Sequence, residues 1–381
     1  MSMNKIIISV VLVVAVTLGI FYLNSQKVDR GSGSGAVTIT PRLSLDRGVE
    51  NSPSLVVATS SEKKAAPTAG KKPLPSEDKS KKYELAKEIT TPDGFINTDG
   101  KPITIGEFTG KKVVLLDIWT YSCINCQRTT PYLNAWYEKY KDKGLVIIGL
   151  HTPEFEFEKV YENVLEATKR MGIKFPVVLD NDFSTWNAYQ NRFWPRKYLI
   201  DIDGYIVYDH IGEGRYEETE QKIQAALSER MAVLGEGGDV SQQITKEVPV
   251  QSGAKSPEIY FGSARNDQQK NLLFPNDSWN ITPEFAQNIS PGASIIYQYT
   301  AKEVFFVAES DTETVVEVLQ DGKPLLSEAG LDVIITSDGK TVVKIKEARL
   351  YKIIQGNQSE THTLELKIQS PGLKAFTFTF G

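Results

Sequence analysis

Two cysteines three positions apart are the residues of this sequence whose spacing most directly suggests chemistry. Cys123 and Cys126 are also the only cysteines among 381 residues. A helical stretch follows from about Ile124 to Tyr140, so both thiols would lie on its first turn. The unpaired N–H groups and the dipole of a helix N-terminus favour thiolate, which is the nucleophile of disulfide exchange. The pattern predicts a redox pair in which Cys123 attacks and Cys126 resolves the mixed disulfide.

Two other interpretations of the cysteine pair stay open. The pair could supply half of a zinc site, with further ligands from carboxylates or from His151, His210 and His362, but the sequence has no second CxxC and no HxxxH. It could instead form a structural disulfide, which at this spacing closes a very small loop and constrains little of the unfolded chain. A strand directly before the pair and a helix directly after it favour the redox interpretation.

The region around the pair alternates between predicted strands and helices. Apolar runs at 113–119, 145–150 and 177–179 predict buried strands, and helices are predicted at 124–140, 157–171 and 217–231. Two further strands, at 196–201 and 205–208, flank Asp203-Gly204, which predicts a β-hairpin. Strands alternating with helices, followed by a hairpin and a last helix, predict an α/β domain with a mixed sheet at 83–235.

Short alternating runs characterise the end of the chain. From Ser294 onward apolar and polar residues alternate, and Asp321-Gly322 and Asp338-Gly339 mark tight turns. Many short strands separated by turns predict an antiparallel β-sandwich domain at 256–381. A Gly-, Ser- and Gln-containing connector at 236–255 would join the two domains.

The N-terminal part of the sequence has a different character. An uncharged run at 6–23 is long enough for a transmembrane helix and no small-x-small cleavage site follows it, so residues 1–30 are expected to be a signal anchor. A cleaved signal peptide is the alternative. Residues 31–82 contain no aromatic residue, which predicts a flexible linker. Since an N-terminal hydrophobic segment normally targets export, the folded domains are expected in the periplasm or on the outer face of the cell membrane.

Composition narrows the classes of function. The net charge of −5 gives no basic field for binding nucleic acid. A chain with 40% hydrophobic, 10% aromatic and 24% charged residues is ordinary for a globular protein. Two cysteines exclude a disulfide-rich scaffold, and with only three histidines a closed zinc site is not expected. No metal and no cofactor is expected apart from the redox-active disulfide itself.

Around the cysteines the sequence resembles the thioredoxin-fold signature. Residues 117–126 (DIWTYSCINC) place an acid six positions and a tryptophan four positions before the first cysteine, and Trp194-Pro195 resembles the cis-proline segment of that family. The closer resemblance is to the extracytoplasmic TlpA-like branch and, within it, to the thioredoxin domain of DipZ-type proteins. It is carried by residues 119–126, 131–133, 151–155, 179–182 and 186–189.

The sequence departs from these families at three places. Ser122 stands where thioredoxins usually have tryptophan, and Ile124-Asn125 stands where they have Gly-Pro. Thr129 stands where many TlpA-like reductases have an acid. Glu154 is a candidate replacement for that acid. Because the dipeptide between the cysteines tunes the reduction potential, the potential of thioredoxin cannot be transferred to this chain.

The resemblance implies a role for each matching residue. Cys123 and Cys126 would be the redox pair, and Pro195 would present backbone groups to an extended substrate segment. Asp117 would be the buried acid that shuttles a proton to the resolving cysteine, with a purely structural hydrogen-bonded acid as the alternative. Trp119 would pack beneath the site, as an ordinary core residue also would.

Two aromatic residues complete the implied site. Tyr121 and Trp194 would flank the sulfur atoms and determine which substrates can dock.

The last region resembles the C-terminal domain of DipZ-type proteins, which looks like a carbohydrate-binding module. The matching stretches are 256–262 and 376–381. Tyr260 and Trp279 are candidates for stacking on sugar rings, and the alternative is that they form core or interdomain contacts. Full DipZ-type proteins also carry a polytopic electron-carrying membrane domain, where this sequence has a single hydrophobic run. The resemblance therefore implies a separate CcdA- or DsbD-like membrane protein as electron donor.

Together these observations predict a membrane-anchored, extracytoplasmic thiol–disulfide oxidoreductase that acts on exported disulfide-containing proteins, with reduction as the expected direction. One alternative is an oxidant that donates its disulfide to exported thiols. The other is a glycan-binding protein in which the redox domain is accessory.

Overall fold

A computed structural model of the chain describes residues 79–246 and 254–381. The predicted signal anchor and almost all of the predicted linker lie outside these residues. Across the two described ranges, no helix combines the length and the apolar character that crossing a membrane requires.

The first domain is built on a six-stranded mixed sheet with strand order β1-β4-β3-β2-β5-β6. Its strands are β1 (Gly94–Ile96), β2 (Val113–Trp119), β3 (Leu145–His151), β4 (Val177–Leu179), β5 (Arg196–Ile200) and β6 (Ile206–Ile211). Its helices are α1 (Ile124–Tyr140), α2 (Tyr161–Arg170), α3 (Ser184–Ala188) and α4 (Tyr216–Leu234), with 3₁₀ turns at Gly106–Phe108, Lys141–Lys143 and Glu156–Lys159. Strands β2, β3 and β4 run parallel and the others antiparallel, which confirms the predicted α/β fold.

Strand β2 explains how the cysteines reach their place. All seven of its residues are buried, because other parts of the α/β domain pack on both faces of the sheet, and this accounts for its almost continuous apolar run. Side chains alternate between the two faces. Leu115 and Trp119 belong to the same hydrophobic cluster as Cys126 and helix α1. Asp117 lies between them in the sequence and therefore shares that face.

The second domain is antiparallel throughout, as the sequence predicted, and its strands form one network of 11 strands. They are β7 (Ile259–Tyr260), β8 (Leu273–Phe274), β9 (Trp279–Ile281), β10 (Ala286–Asn288), β11 (Ser294–Ser310), β12 (Thr314–Gln320), β13 (Lys323–Pro324), β14 (Val333–Ile335), β15 (Thr341–Ile345), β16 (Arg349–Ile368) and β17 (Leu373–Phe380), with 3₁₀ turns at Gln269–Leu272 and Asn276–Ser278. The long strands β11 and β16 pair with each other along most of their length, with register shifts between Ala301 and Phe305. They thereby link all parts of the β domain.

One end of the β sheet is covered on both faces. Alternate residues of β11, β16 and β17 face inward and build the core of the β domain, including Phe306 and Phe378. The residues between them join the hydrophobic cluster of the α/β domain; these are Phe305, Val307, Leu350 and Phe376. The two domains therefore share a continuous apolar contact, and the period-two alternation of the strands supplies both sides of it.

Part of the predicted connector packs on the α/β domain. Glu220 of α4 accepts hydrogen bonds from the backbone N–H groups of Ile244 and Thr245, and Trp136 Nε1 donates to Thr245 Oγ1 over 2.9 Å. Residues 236–246 thus follow the surface of the α/β domain before the chain enters 247–253, which lie outside the described residues.

Lys79, in the last part of the predicted linker, is also fixed to the α/β domain. Its ammonium lies 2.6 Å from Asp201, 2.7 Å from Asp203 and 2.6 Å from Glu229. The side chains of Lys79 and Asp201 are both almost fully buried. The three contacts join the start of the described chain to the β5–β6 turn and to helix α4.

We expect Lys79→Ala to lower the free energy of unfolding by about 3–5 kcal/mol, because it leaves the buried Asp201 carboxylate without its cation. Urea unfolding followed by circular dichroism measures the change. Lys169→Ala is the matched control, since Lys169 pairs with Glu166 on the exposed surface and its loss should have a much smaller effect. Equal effects of the two substitutions would contradict this account of the Lys79 cluster.

Candidate active site

The two cysteines occupy different environments at the start of helix α1. Cys123 is the N-cap residue, with extended backbone angles, and its side chain is partly exposed. Cys126 lies one turn further along and is buried, with 2% of its surface accessible. Both are free thiols. The fold thus presents one sulfur to a reaction partner and keeps the other inside.

Burial raises the pKa of the Cys126 thiol well above its usual range, and the neighbouring Cys123 and the charge of Asp117 raise it further. At neutral pH, Cys126 therefore holds its proton in the reduced protein. A thiol that must later act as a nucleophile needs a group that removes this proton.

Asp117 and Lys197 form a buried ion pair on adjacent strands near Cys126. They are direct cross-strand partners of β2 and β5, and Lys197 Nζ lies 3.7 Å from Asp117 Oδ1. Burial raises the pKa of Asp117 to about 6, while the charge of Lys197 opposes the rise. Burial lowers the pKa of Lys197, and the charges of Asp117 and Cys126 oppose that shift. The three groups are therefore electrostatically coupled.

Lys197 is a site residue that the sequence did not reveal. It belongs to the predicted strand of the terminal hairpin, but the hairpin pattern does not show which strand lies beside β2. The detectable signal was a lysine in a strand whose next three residues, 198–200, are apolar. A fully buried lysine requires a counter-charge, and Asp117 supplies it once the β2–β5 pairing is known.

Aromatic rings surround the turn that leads into Cys123. Trp119 is buried, and its ring meets that of His151 edge-on with 5.1 Å between centroids. The Tyr121 ring stacks on that of His151, with 5.7 Å between centroids. Burial lowers the pKa of His151 to about 3, so this ring is neutral at physiological pH. Trp119 lies in the core beneath the site, and Tyr121 is only 1% exposed, so neither ring is available to a docking substrate.

Trp194 and Pro195 lie before strand β5. The peptide bond between them is cis. The Pro195 carbonyl accepts a hydrogen bond from Gly212 N over 2.8 Å, and Pro195 is buried. Trp194 is half-buried; its Nε1 donates to the Thr152 carbonyl over 3.0 Å, and its ring lies 4.3 Å from that of Trp186. Of the two aromatic residues expected to flank the sulfur atoms, Trp194 is the one with an accessible surface.

Glu154, Tyr260 and Trp279 have contacts other than those expected of them. Glu154 Oε1 lies 2.5 Å from Arg265 Nη1 and accepts a hydrogen bond from the Tyr260 hydroxyl over 2.9 Å. The guanidinium of Arg265 also covers the Tyr260 ring at 4.4 Å. Trp279 is buried in the β domain. Trp279 thus lacks the open face that stacking on a sugar ring requires, and Arg265 covers one face of Tyr260. Glu154 takes part in an interdomain ion pair.

The β domain contacts the chain on both sides of the cysteine pair. Two residues before Cys123, the Tyr121 hydroxyl donates to the Ala348 carbonyl over 3.0 Å. Two residues after Cys126, Arg128 pairs with Glu303 at 2.6 Å and with Glu213 of its own domain at 3.3 Å. The redox motif is therefore flanked by contacts with both domains.

Among residues 79–246 and 254–381, one group of side chains is close enough together to hold a metal ion, namely Asp201, Asp203 and Glu229. The Lys79 ammonium contacts all three carboxylates. Lys79 therefore supplies the positive charge that balances these three carboxylates.

Comparisons with known proteins agree with the fold of both domains. Residues 81–227 match the family described as Redoxin, and residues 261–381 match the family described as Thioredoxin like C-terminal domain. The chain belongs to the thioredoxin-fold thiol–disulfide oxidoreductases. The thiol-disulfide oxidoreductase ResA of Bacillus cereus is 34% identical over 148 residues, which cover 38% of this chain and 80% of ResA.

Protein DipZ of Mycobacterium tuberculosis matches across both domains, with 35% identity over 320 residues. The match covers 77% of this chain and 43% of DipZ, so the chain spans less than half the length of that relative. A solved structure of a putative thiol:disulfide interchange protein DsbE from Chlorobium tepidum is 25% identical, with a TM-score of 0.34, and covers 38% of this chain and 96% of its own.

We expect Lys197→Met to raise the pKa of Asp117 above about 6, because it removes the positive charge that stabilises the buried carboxylate. Folding raises the pKa of Asp117 from its ordinary value of 3.8. The carboxyl therefore contributes its full stabilisation below pH 3.8 and loses this contribution as the pH rises to the pKa of the folded state. In the native protein this loss of stability is complete near pH 6. In Lys197→Met it should continue to a higher pH. Titration of the Asp117 carboxyl by ¹³C NMR measures the shift directly.

The exposed Lys174→Met is the matched control and should leave the Asp117 titration unchanged. A midpoint that stays at about 6 in Lys197→Met would show that the two groups are not coupled.

Proposed function

We propose that this oxidoreductase reduces disulfides of exported proteins through Cys123 and Cys126, on the extracytoplasmic side of a membrane to which its N-terminal segment attaches it. The observation that carries the proposal is the unequal placement of the two thiols, with Cys123 partly exposed at a helix N-cap and Cys126 buried one turn away. This arrangement suits a two-step exchange that starts at one sulfur and finishes at the other.

In the first step, the Cys123 thiolate attacks one sulfur of a substrate disulfide. A mixed disulfide forms between Cys123 and the substrate, and the other substrate sulfur leaves as a thiolate that takes up a proton. In the second step, Cys126 loses its proton and attacks Cys123 Sγ. The Cys123–Cys126 disulfide forms and the second substrate sulfur leaves as a thiol. Two electrons pass from the cysteine pair to the substrate.

Asp117 is the group that we propose to remove the proton from Cys126. Since its pKa is about 6, it is mostly ionised at neutral pH and can accept a proton in the second step. The buried Lys197 keeps the carboxylate ionised by supplying the opposite charge at 3.7 Å. Removal of the proton inside the protein matters because burial otherwise keeps Cys126 in the unreactive thiol form.

The same electrostatics favour reduction over oxidation. Strong thiol oxidants derive their potential from a stabilised thiolate in the reduced form. Here burial and the negative charge of Asp117 disfavour a thiolate at Cys126, so the reduced form lacks that stabilisation at this sulfur. The pair is therefore suited to give electrons to a substrate and to be reduced again by a separate membrane protein of the CcdA or DsbD kind.

Cys123→Ser should abolish reduction of insulin disulfides, because the remaining thiol, Cys126, is buried and keeps its proton. Cys126→Ser should lose turnover and accumulate a covalent adduct with the substrate on Cys123, since the resolving thiol is absent. Turbidity of reduced insulin measures the first effect, and mass spectrometry under non-reducing conditions measures the second. Insulin reduction by Cys123→Ser at the native rate, or adducts on Cys126 in that variant, would contradict the assignment.

Asp117→Asn should slow the second step about hundredfold at pH 7, the lower range for loss of a general base, and should remove an inflection near pH 6 from the rate profile. Stopped-flow tryptophan fluorescence between pH 5 and 8 measures the rate. Asp99→Asn, on the exposed surface, is the matched control. An unchanged profile in Asp117→Asn would leave Asp117 with a structural role only.

A further inference from the structure

Glu158 is a fully buried carboxylate close to the redox pair that the exchange steps do not use. It lies on the 3₁₀ turn Glu156–Lys159, after strand β3, and none of its surface is accessible. Burial raises its pKa, while hydrogen bonds from Thr120, Ser122 and the Glu154 backbone oppose the rise. Burial of a carboxylate costs free energy unless its oxygens accept hydrogen bonds. The hydrogen-bond partners of Glu158 therefore indicate its role.

Each carboxylate oxygen of Glu158 binds a different loop. Oε1 accepts hydrogen bonds from Ser122 N at 3.0 Å and from Ser122 Oγ at 2.7 Å. Oε2 accepts hydrogen bonds from Glu154 N at 2.7 Å and from Phe155 N at 3.1 Å. The two backbone N–H groups at Oε2 can only donate, so this environment fits an ionised carboxylate and would oppose a proton on that oxygen.

The two loops have different connections. Ser122 directly precedes Cys123, so the bonds to Oε1 fix the turn that presents the reactive sulfur. Glu154 and Phe155 carry contacts to the β domain, through the ion pair with Arg265 and through the Phe155 ring, which lies 5.2 Å from that of Phe376. Glu158 therefore joins the redox turn, by hydrogen bonds, to the loop on which the β domain packs.

We propose that Glu158 is a positioning residue for thiol–disulfide exchange, which holds the turn before Cys123 in place and ties it to the interdomain loop. This proposal rests on the proposed function of the cysteine pair. Glu158 does not contact a substrate, since it is buried. It acts through Ser122: by holding the turn before Cys123 in place, it favours the oxidised form of the pair, in which Cys123 Sγ must stay within bonding distance of Cys126 Sγ.

The test compares Glu158→Gln with the full native chain. Glutamine keeps the size of the side chain but directs an NH₂ group at N–H donors, so hydrogen bonds at one loop are lost, together with the charge. The rate constant for reduction of insulin should fall at least about tenfold, as expected when hydrogen bonds to a charged group are broken. The equilibrium constant with glutathione should shift about tenfold toward the reduced pair, which corresponds to about 30 mV.

Glu156→Gln is the matched control, because Glu156 lies on the same 3₁₀ turn and its side chain is 71% exposed. It should leave both the rate and the glutathione equilibrium unchanged. A purely structural role of Glu158 would lower the melting temperature without moving the equilibrium constant of the folded protein. An unchanged equilibrium constant in Glu158→Gln, or an equal change in Glu156→Gln, overturns the proposal.

Ser122→Ala is the second variant, and it tests the proposed role of Glu158 if Glu158→Gln does not fold. It removes the Ser122 Oγ bond to Oε1 and keeps the backbone bond. The insulin rate constant should fall about threefold, in line with the loss of one hydrogen bond, and a native rate overturns the proposal. The glutathione equilibrium needs no protein substrate, so failure of the native chain to reduce insulin would count against the proposed function and not against Glu158.

Discussion

A charge placed on a strand that is buried on both faces must find its partner inside the protein. Strand β2 has this property, and Asp117 is its one charged residue. The partner comes from the neighbouring strand, where Lys197 is the direct cross-strand residue. Buried ion pairs of this kind contribute little net stability, since the desolvation of both charges offsets their attraction. Their position near Cys126 instead is what lets Asp117 serve as the proton acceptor that we propose for the buried thiol.

The β domain belongs to the same arrangement. Its sheet completes the hydrophobic cluster of the α/β domain with residues such as Phe305 and Phe376, and it contacts the chain on both sides of the cysteine motif through Ala348 and Glu303. The second domain thus packs beside the redox turn, and we propose that Glu158 links this contact to the residue before Cys123.

Local patterns allowed prediction of the α/β fold, the antiparallel β domain and the helix that starts after Cys123. Spacing along the chain suffices for such features. It does not suffice for Lys197 and Glu158, because their roles depend on which strand pairs with β2 and on where the loop after β3 turns. The sequence likewise did not show whether the rings of Tyr260 and Trp279 are exposed. Alternation along a strand does not reveal which side of the sheet packs against other parts of the protein. The sequence places Lys79 in a predicted flexible linker. Its ion pairs were not predictable, because the three carboxylates that it contacts lie more than a hundred residues further along the chain.

The central claim is that the fold gives the two thiols different tasks, and alkylation of the reduced native protein tests it most directly. A brief treatment with iodoacetamide at pH 7, followed by peptide mass mapping, shows which sulfur reacts. We predict labelling of Cys123 alone, with Cys126 labelled only after unfolding, because Cys126 is buried and its pKa is raised. Labelling of Cys126 as fast as Cys123, or faster, would contradict the account.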